Sequence, residues 1–172
     1  MKRIVITGAE CTGKSTLAQA LSGYYGEPWT AEFVRNYVDE TDRELGVEDL
    51  EPIARGQLAL EDESLSKATR FVIHDTNLLS SIIYANHYYN KVIDWVNDAF
   101  LGREYHLYLF CQPDIPWKAD PKQRESAEER ARLHDVFKAS IKRLELPYVE
   151  IAGEELKRFG LAVSAIDKLL ED

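Results

Sequence analysis

"TGAECTGKST", residues 7–16, decides how the rest of the chain is read. It follows "RIVI" (3–6), a β-branched run, and leads into "LAQALSGYY" (17–25), where Leu17, Ala20, Leu21 and Tyr24 recur at helical spacing. A buried strand over 3–7 therefore enters a glycine-rich turn, and the turn enters a helix over 14–25. In that setting Gly8-Ala9-Glu10-Cys11-Thr12-Gly13-Lys14-Ser15 fits the pattern G-x-x-x-x-G-K-[ST]. The glycines let the backbone wrap an anion. Successive N–H groups then form a nest for phosphate oxygens, and the helix N-terminus adds a partial positive charge. Lys14 is expected to reach the β- and γ-phosphates of a nucleotide, and the Ser15 hydroxyl to ligate Mg2+. A glycine-rich turn with an incidental lysine is the plain alternative, and the strand–turn–helix context argues against it. The motif speaks for nucleotide binding and leaves open what happens to the nucleotide.

Glu10 is an oddity in this loop, because a carboxylate repels phosphate. The cradle is made of backbone N–H groups, so its side chain is free to point up and out. There it has two readings: a group that meets an acceptor or a closing arginine, or a solvated loop side chain.

Bulk properties narrow the class. A chain of 172 residues with 45% hydrophobic and 10% aromatic content is expected to fold as one domain, 1–172, with a sizeable core. A net charge of −9 argues against nucleic-acid binding, which calls for basic patches. The two cysteines, Cys11 and Cys111, are far apart, and no metal-ligand spacing is present. Cys11 reads as a small loop residue and Cys111 as strand-end packing. There is no signal-peptide pattern and no apolar run of membrane-spanning length, so a cytoplasmic setting with no membrane partner is the default expectation.

Strands and helices alternate. Further strands are expected at 28–32, 70–75, 105–111 and 147–151, and helices at 50–68, 78–100, 127–144 and from 153 to the end. Such alternation predicts a parallel sheet covered on both faces. The stretch "QPDIPWKADPKQRES" (112–126) carries three prolines and reads as the start of an ordered lid over about 112–132.

Three groups join the phosphate loop as candidates. Asp75 ends the third strand, where ligands collect in parallel sheets; it is placed to hold Mg2+ as a Walker-B-type carboxylate. Asp75 or Thr76 also suits a helix N-cap before "NLLSSII". Glu32 and Arg35 in "AEFVRNY" (31–37) are three apart. Glu32 reads equally as a base for an acceptor hydroxyl or as half of a surface ion pair. In the proline-rich stretch Asp114, Trp117, Asp120 and Arg124 stand together, and Arg124 is expected to close onto the polyphosphate. Arg130 and Arg132 read as a solvated, charged helix start.

Taken in order, "TGAECTGKSTLAQAL", "AEFVRNYV", "DLEPIARGQLALEDE", "FVIHDTNLLSSIIY", "LYLFCQPDIPWKADPKQRES" and "LPYVEIAG" resemble the ribosylnicotinamide kinase domain of NadR-type proteins, P-loop proteins often labelled AAA ATPase. The likeness runs over nearly the whole chain. It implies an α/β three-layer P-loop NTPase with a five-stranded parallel sheet of kinase type, order 2-3-1-4-5, helices on both faces and a lid segment. It implies ATP and Mg2+, and phosphorylation of the ribose 5′-hydroxyl of nicotinamide riboside. Carried over to this sequence, Gly13, Lys14, Ser15 and Thr16 meet the phosphates, and Gly8, Glu10, Cys11 and Thr12 complete their loop. Ser15 and Asp75 meet Mg2+, and Glu32 takes the place of the catalytic carboxylate. Arg35, Gln57, Asp75, Thr76 and Asp120 become acceptor-pocket candidates, Arg124 the lid arginine, and Gly153 a positional candidate beside the adenine. Aromatic rings are expected to flank the nicotinamide; Ala31 precedes Glu32 and Leu50 sits in "DLEP", so Phe33 or Trp117 are the rings on offer. Such proteins usually carry an adenylyltransferase domain and sometimes a DNA-binding domain ahead of the kinase part. Neither is read here, so the expected product is the mononucleotide. Another nucleoside or metabolite kinase, and a regulatory nucleotide-binding module, remain as alternatives.

Overall fold

A computed structural model describes residues 1–119 and 126–171. Five parallel strands form one sheet in the order β2-β3-β1-β4-β5: β1 Lys2–Thr7, β2 Trp29–Thr30, β3 Phe71–Asp75, β4 Leu107–Cys111 and β5 Tyr148–Ile151. Seven α-helices are described: α1 Lys14–Tyr25, α2 Phe33–Thr41, α3 Leu50–Lys67, α4 Leu78–Tyr89, α5 Asp94–Leu101, α6 Ala127–Arg143 and α7 Glu155–Glu171. This is the kinase-type sheet order that the resemblance implies.

The two-residue period of the strands builds two cores. Ile4, Ile6, Leu107, Leu109 and Cys111 face one side and pack with Leu17, Ala18 and Leu21 of α1 and Ala162 and Ile166 of α7. Val5, Tyr108 and Phe110 face the other and pack with Ala54 of α3, Leu78, Leu79 and Ile83 of α4, Phe100 of α5, and Leu133 and Phe137 of α6. On α1 the buried stripe is Leu17, Ala18 and Leu21; Tyr24, expected inside, is exposed and rests edge-on against Phe159.

The register positions the chemistry. Ile6 of β1 pairs with Asp75 of β3, and Thr7 pairs with Phe110 of β4. The phosphate loop therefore leaves the sheet between the ends of β3 and β4.

The structure departs from the expected elements in four places. The second strand is only Trp29–Thr30, not 28–32. The helix expected over 78–100 is two helices. Asn90 ends α4 in the left-handed conformation at φ 46°, and its own N–H and that of Lys91 bond back to the last turn, at Asn86 O and Ala85 O. The N-cap of α4 is Asn77, whose side chain accepts from Leu79 N, rather than Asp75 or Thr76. In the expected lid, residues 127–132 are the first turns of α6. Asp120 and Arg124 lie outside the described residues.

Candidate active site

The phosphate loop uses two glycines for different reasons. Gly8 has φ 139°, and a Cβ there would stand 2.8 Å from the carbonyl oxygen of Cys111, so the end of β4 passes too close for any side chain. Gly13 has φ 79° and turns the chain into α1. Cys11, between them, also takes a positive φ of 52°. Inside the loop the Ala9 carbonyl accepts from Lys14 Nζ at 2.8 Å and from Thr12 Oγ1 at 2.8 Å. Lys14 is thus folded back over its own loop. Burial pulls its ammonium down, but the Glu10, Glu32 and Asp75 carboxylates more than reverse this, so it stays charged.

Ser15 lies in the first turn of α1, and its Oγ donates to Asp75 Oδ2 at 2.5 Å. Asp75 is 1% exposed, and its Oδ1 is buried with no hydrogen-bond partner. Burial, then the nearby Glu32 carboxylate, pushes the Asp75 carboxyl up to about 6. A buried carboxylate oxygen with no donor is suited to a cation. One hydroxyl and one carboxylate also fit Mg2+, which keeps most of its shell as waters and phosphate oxygens. Among the described residues no three His, Cys, Asp or Glu side chains form a closed metal cage.

Beside the loop lies a cavity of about 620 Å³, within the range of small-molecule sites. Glu10, Glu32, Arg35, Gln57, Thr76 and Tyr84 all line it. Glu32 ends the link after β2 and is the N-cap residue of α2. Its carboxylate is buried and accepts from Arg35 Nε at 2.8 Å. Gln57 of α3 accepts from Phe33 N at 3.0 Å and so fixes the start of α2 against α3; its own Nε2 is buried without a partner.

Glu10 is not a solvated loop side chain. It is 8% exposed, Tyr84 OH donates to its Oε1 at 3.0 Å, and its Oε2 is buried without a partner. Burial, then the Glu32 carboxylate, raises its carboxyl above the ordinary range. The rim of the cavity is braced by Asp49. This buried carboxylate takes both Arg43 Nη atoms at 2.7 Å, Tyr37 OH at 2.7 Å and Gly46 N at 2.7 Å.

A sequence family described as an AAA domain matches residues 3–158. The chain belongs to this AAA domain family. Within the family's reach, it is 21% identical over 178 residues to the trifunctional NAD biosynthesis/regulator protein NadR of Escherichia coli (strain K12), covering 99% of this chain and 43% of that protein. The relative in Salmonella typhimurium is matched to the same extent, 21% over 176 residues. The chain thus spans less than half the length of these curated relatives. Among solved structures, NadR protein in complex with NR superposes with a TM-score of 0.88 at 20% identity, over 99% of this chain and 52% of that one. Deoxyadenosine kinase from M. mycoides superposes with a TM-score of 0.69 at 12% identity, over 96% and 99%. The resemblance read from the sequence motifs thus recurs in sequence and in fold.

In this AAA domain the structure brings together Glu10, Lys14, Ser15, Glu32, Arg35, Gln57, Asp75 and Thr76 around the loop and cavity. Thr16 is exposed on the first turn of α1. Gly153, at φ 96°, lies beyond β5; its N–H donates to Asp114 Oδ2 at 2.6 Å. Neither ring proposed to flank a base lines the cavity. Phe33 packs on α3, where a Cβ at Gly56 would stand 2.2 Å from its Cζ. Trp117 is half-buried in the stretch after β4. The aromatic lining is instead Tyr84, Tyr88 and Tyr89 of α4, with the Tyr84 and Tyr88 rings parallel and 6.0 Å apart. Arg130 is also corrected: it is buried and donates to the carbonyls of Cys11 and Ile115, whereas Arg132 is exposed and pairs with Glu129. Sequence reading missed Tyr84 and Arg158. No local signal marks either one.

Proposed function

We propose that this chain is an ATP-dependent kinase that phosphorylates the ribose 5′-hydroxyl of nicotinamide riboside to give the mononucleotide. The observation that carries this reading is the shared boundary of the phosphate loop and the 620 Å³ cavity, with the buried Glu32 carboxylate on the cavity wall. A phosphate site and a nucleoside-sized space meet there, which is what in-line transfer between two bound partners requires. The likeness to the NadR proteins supports the choice of acceptor.

In the proposed reaction Lys14 leaves the Ala9 carbonyl and turns to the phosphate oxygens. Ser15 and Asp75 would hold Mg2+, which would supply neutralisation of the charge on the transferring phosphate. The acceptor 5′-oxygen attacks the γ-phosphorus, the bond to the ADP oxygen breaks, and Glu32 takes the hydroxyl proton. Arg35 holds Glu32 oriented through the 2.8 Å hydrogen bond. Glu10, steadied by Tyr84, faces the acceptor.

Another nucleoside as acceptor is the second reading, supported by a base end lined with tyrosines, whose faces stack on any base. ADP formation measured with and without a panel of nucleosides tests both. Strong stimulation by nicotinamide riboside is expected. Stimulation by a different nucleoside alone moves the assignment to the second reading, and turnover indifferent to every acceptor overturns the kinase reading.

A further inference from the structure

Two buried arginines grip the outer side of the phosphate loop. Arg130 of α6 donates from Nη1 to the Cys11 carbonyl at 3.2 Å and to the Ile115 carbonyl at 3.0 Å. Arg158 of α7 donates from Nη1 to the Thr12 carbonyl at 2.8 Å and from Nη2 to the Gln112 carbonyl at 2.8 Å. It also pairs with Asp114 and donates from Nε to the Gly153 carbonyl at 2.7 Å. Both side chains are almost inaccessible, at 9% and 6%. They come from different helices, yet each spans one carbonyl of the phosphate loop and one of the stretch that follows β4.

The consequence lies in the peptide plane. A trans peptide points its C=O and its N–H in opposite directions. The Cys11 carbonyl shares its plane with the Thr12 N–H, and the Thr12 carbonyl with the Gly13 N–H. Pinning both carbonyls outward on guanidinium groups therefore turns the Thr12 and Gly13 N–H groups to the inside of the loop. Lys14 Nζ and Thr12 Oγ1 meet the Ala9 carbonyl of the same loop. A loop free of these anchors can flip either peptide and present an oxygen, which repels phosphate. Cys11 at φ 52° already occupies a conformation that is costly for a non-glycine residue and needs outside support.

We propose that Arg130 and Arg158 are positioning residues that preset the Thr12 and Gly13 amides for polyphosphate and lock the phosphate loop to the 112–115 stretch. They act through the backbone and need not touch the nucleotide. The inference rests on reading the loop as a nucleotide-phosphate site.

Isothermal titration of ATP, tripolyphosphate and nicotinamide riboside tests it on wild type, Arg130→Met, Arg130→Lys, Arg158→Met and Asp114→Asn. One charge-assisted amide–phosphate bond lost from the plane that each variant frees corresponds to about tenfold or more weaker binding. The Met variants are therefore expected to lose ATP and tripolyphosphate affinity by that factor while keeping acceptor affinity. Lys at 130 carries the charge, but its Nζ ends one bond short of the Nη1 that holds both carbonyls, so it restores only part. Asp114→Asn, which removes the Arg158 counter-charge without emptying the site, gives a smaller loss and covers the case in which Arg158→Met does not fold. Wild type that binds neither ATP nor tripolyphosphate overturns the nucleotide reading itself. Wild-type binding retained unchanged in the Met variants overturns this proposal alone. So does an equal loss of polyphosphate and acceptor affinity, which marks general support of the fold, or full recovery with Lys, which marks charge alone.

Discussion

Ser15 and Asp75 stand 60 residues apart and meet through a 2.5 Å hydrogen bond beneath the phosphate loop. The parallel register of β1 and β3 makes the meeting unavoidable: Ile6 lies opposite Asp75, and the loop that begins two residues after Ile6 delivers Ser15 back over the strand end. A single pair therefore joins the first turn of α1 to the metal-suited carboxylate.

Asp75→Asn keeps the hydrogen bond to Ser15 possible but removes the negative charge. ATP affinity in wild type should rise on adding Mg2+, and in Asp75→Asn this Mg2+ dependence should vanish, with turnover down at least about 100-fold. The acid side has a definite direction. A carboxyl raised to about 6 is protonated below that pH, so Mg2+-dependent turnover should fall as pH drops through about 6. Mg2+-dependent ATP binding that survives in Asp75→Asn would remove Asp75 from the metal site.

Glu32→Gln is nearly isosteric and retains an acceptor for Arg35. Phosphoryl transfer should drop by about 100- to 10,000-fold, the usual worth of a positioned base, while ATP affinity changes little. Binding titrations beside single-turnover transfer separate the two. Transfer at the wild-type rate would exclude Glu32 as the base and leave it as half of an ion pair.

Much of this site was legible because its parts sit at strand ends. Gly8 to Ser15, Glu32 and Asp75 each follow a β-rich run, and a parallel sheet sends all such ends to one edge. What escaped was set by helix faces. Tyr84 sits in an apolar run and its ring packs edge-on against Phe137, while its hydroxyl reaches Glu10, 74 residues away, a contact no local pattern encodes. Arg130 sits in "AEERARL", a run whose composition reads as solvated. Its burial depends on where α6 docks against the phosphate loop, which local pattern does not encode. The same holds for Phe33, drawn onto Gly56 because only a glycine leaves room there for the ring.

The Glu10–Tyr84 pair gives a test of which substrate Glu10 serves. Tyr84→Phe removes the donor to Oε1 and leaves a second buried carboxylate oxygen unsatisfied. The acceptor KM should rise by about tenfold or more, the range for one lost hydrogen bond to a charged group, with the ATP KM unchanged. Glu10→Ala should act in the same direction. A rise confined to the ATP KM would place Glu10 on the nucleotide side.

Away from the site, Glu61 predicts how stability depends on pH. It is 1% exposed, accepts from Tyr105 OH at 2.8 Å, and has its other oxygen buried without a partner. Burial pushes its carboxyl from 4.5 up to about 7. The folded state therefore holds a proton that the unfolded chain releases, so this group's contribution is complete below pH 4.5 and is lost as pH rises to about 7. A shift of this size corresponds to roughly 3 kcal/mol. His74 works the other way. It is buried against Thr30 and lowered to about 3, so it adds stability as pH rises from about 3 to 6.5. The two terms oppose each other in wild type, and a single wild-type curve does not separate them. Glu61→Gln does. Urea unfolding from pH 4.5 to 7.5 should show the variant gaining on wild type by about 3 kcal/mol across that window, because only its carboxyl term is gone. Parallel curves for the two proteins would mean that Glu61 is ionised in the fold, with Arg103 at 3.6 Å carrying its charge.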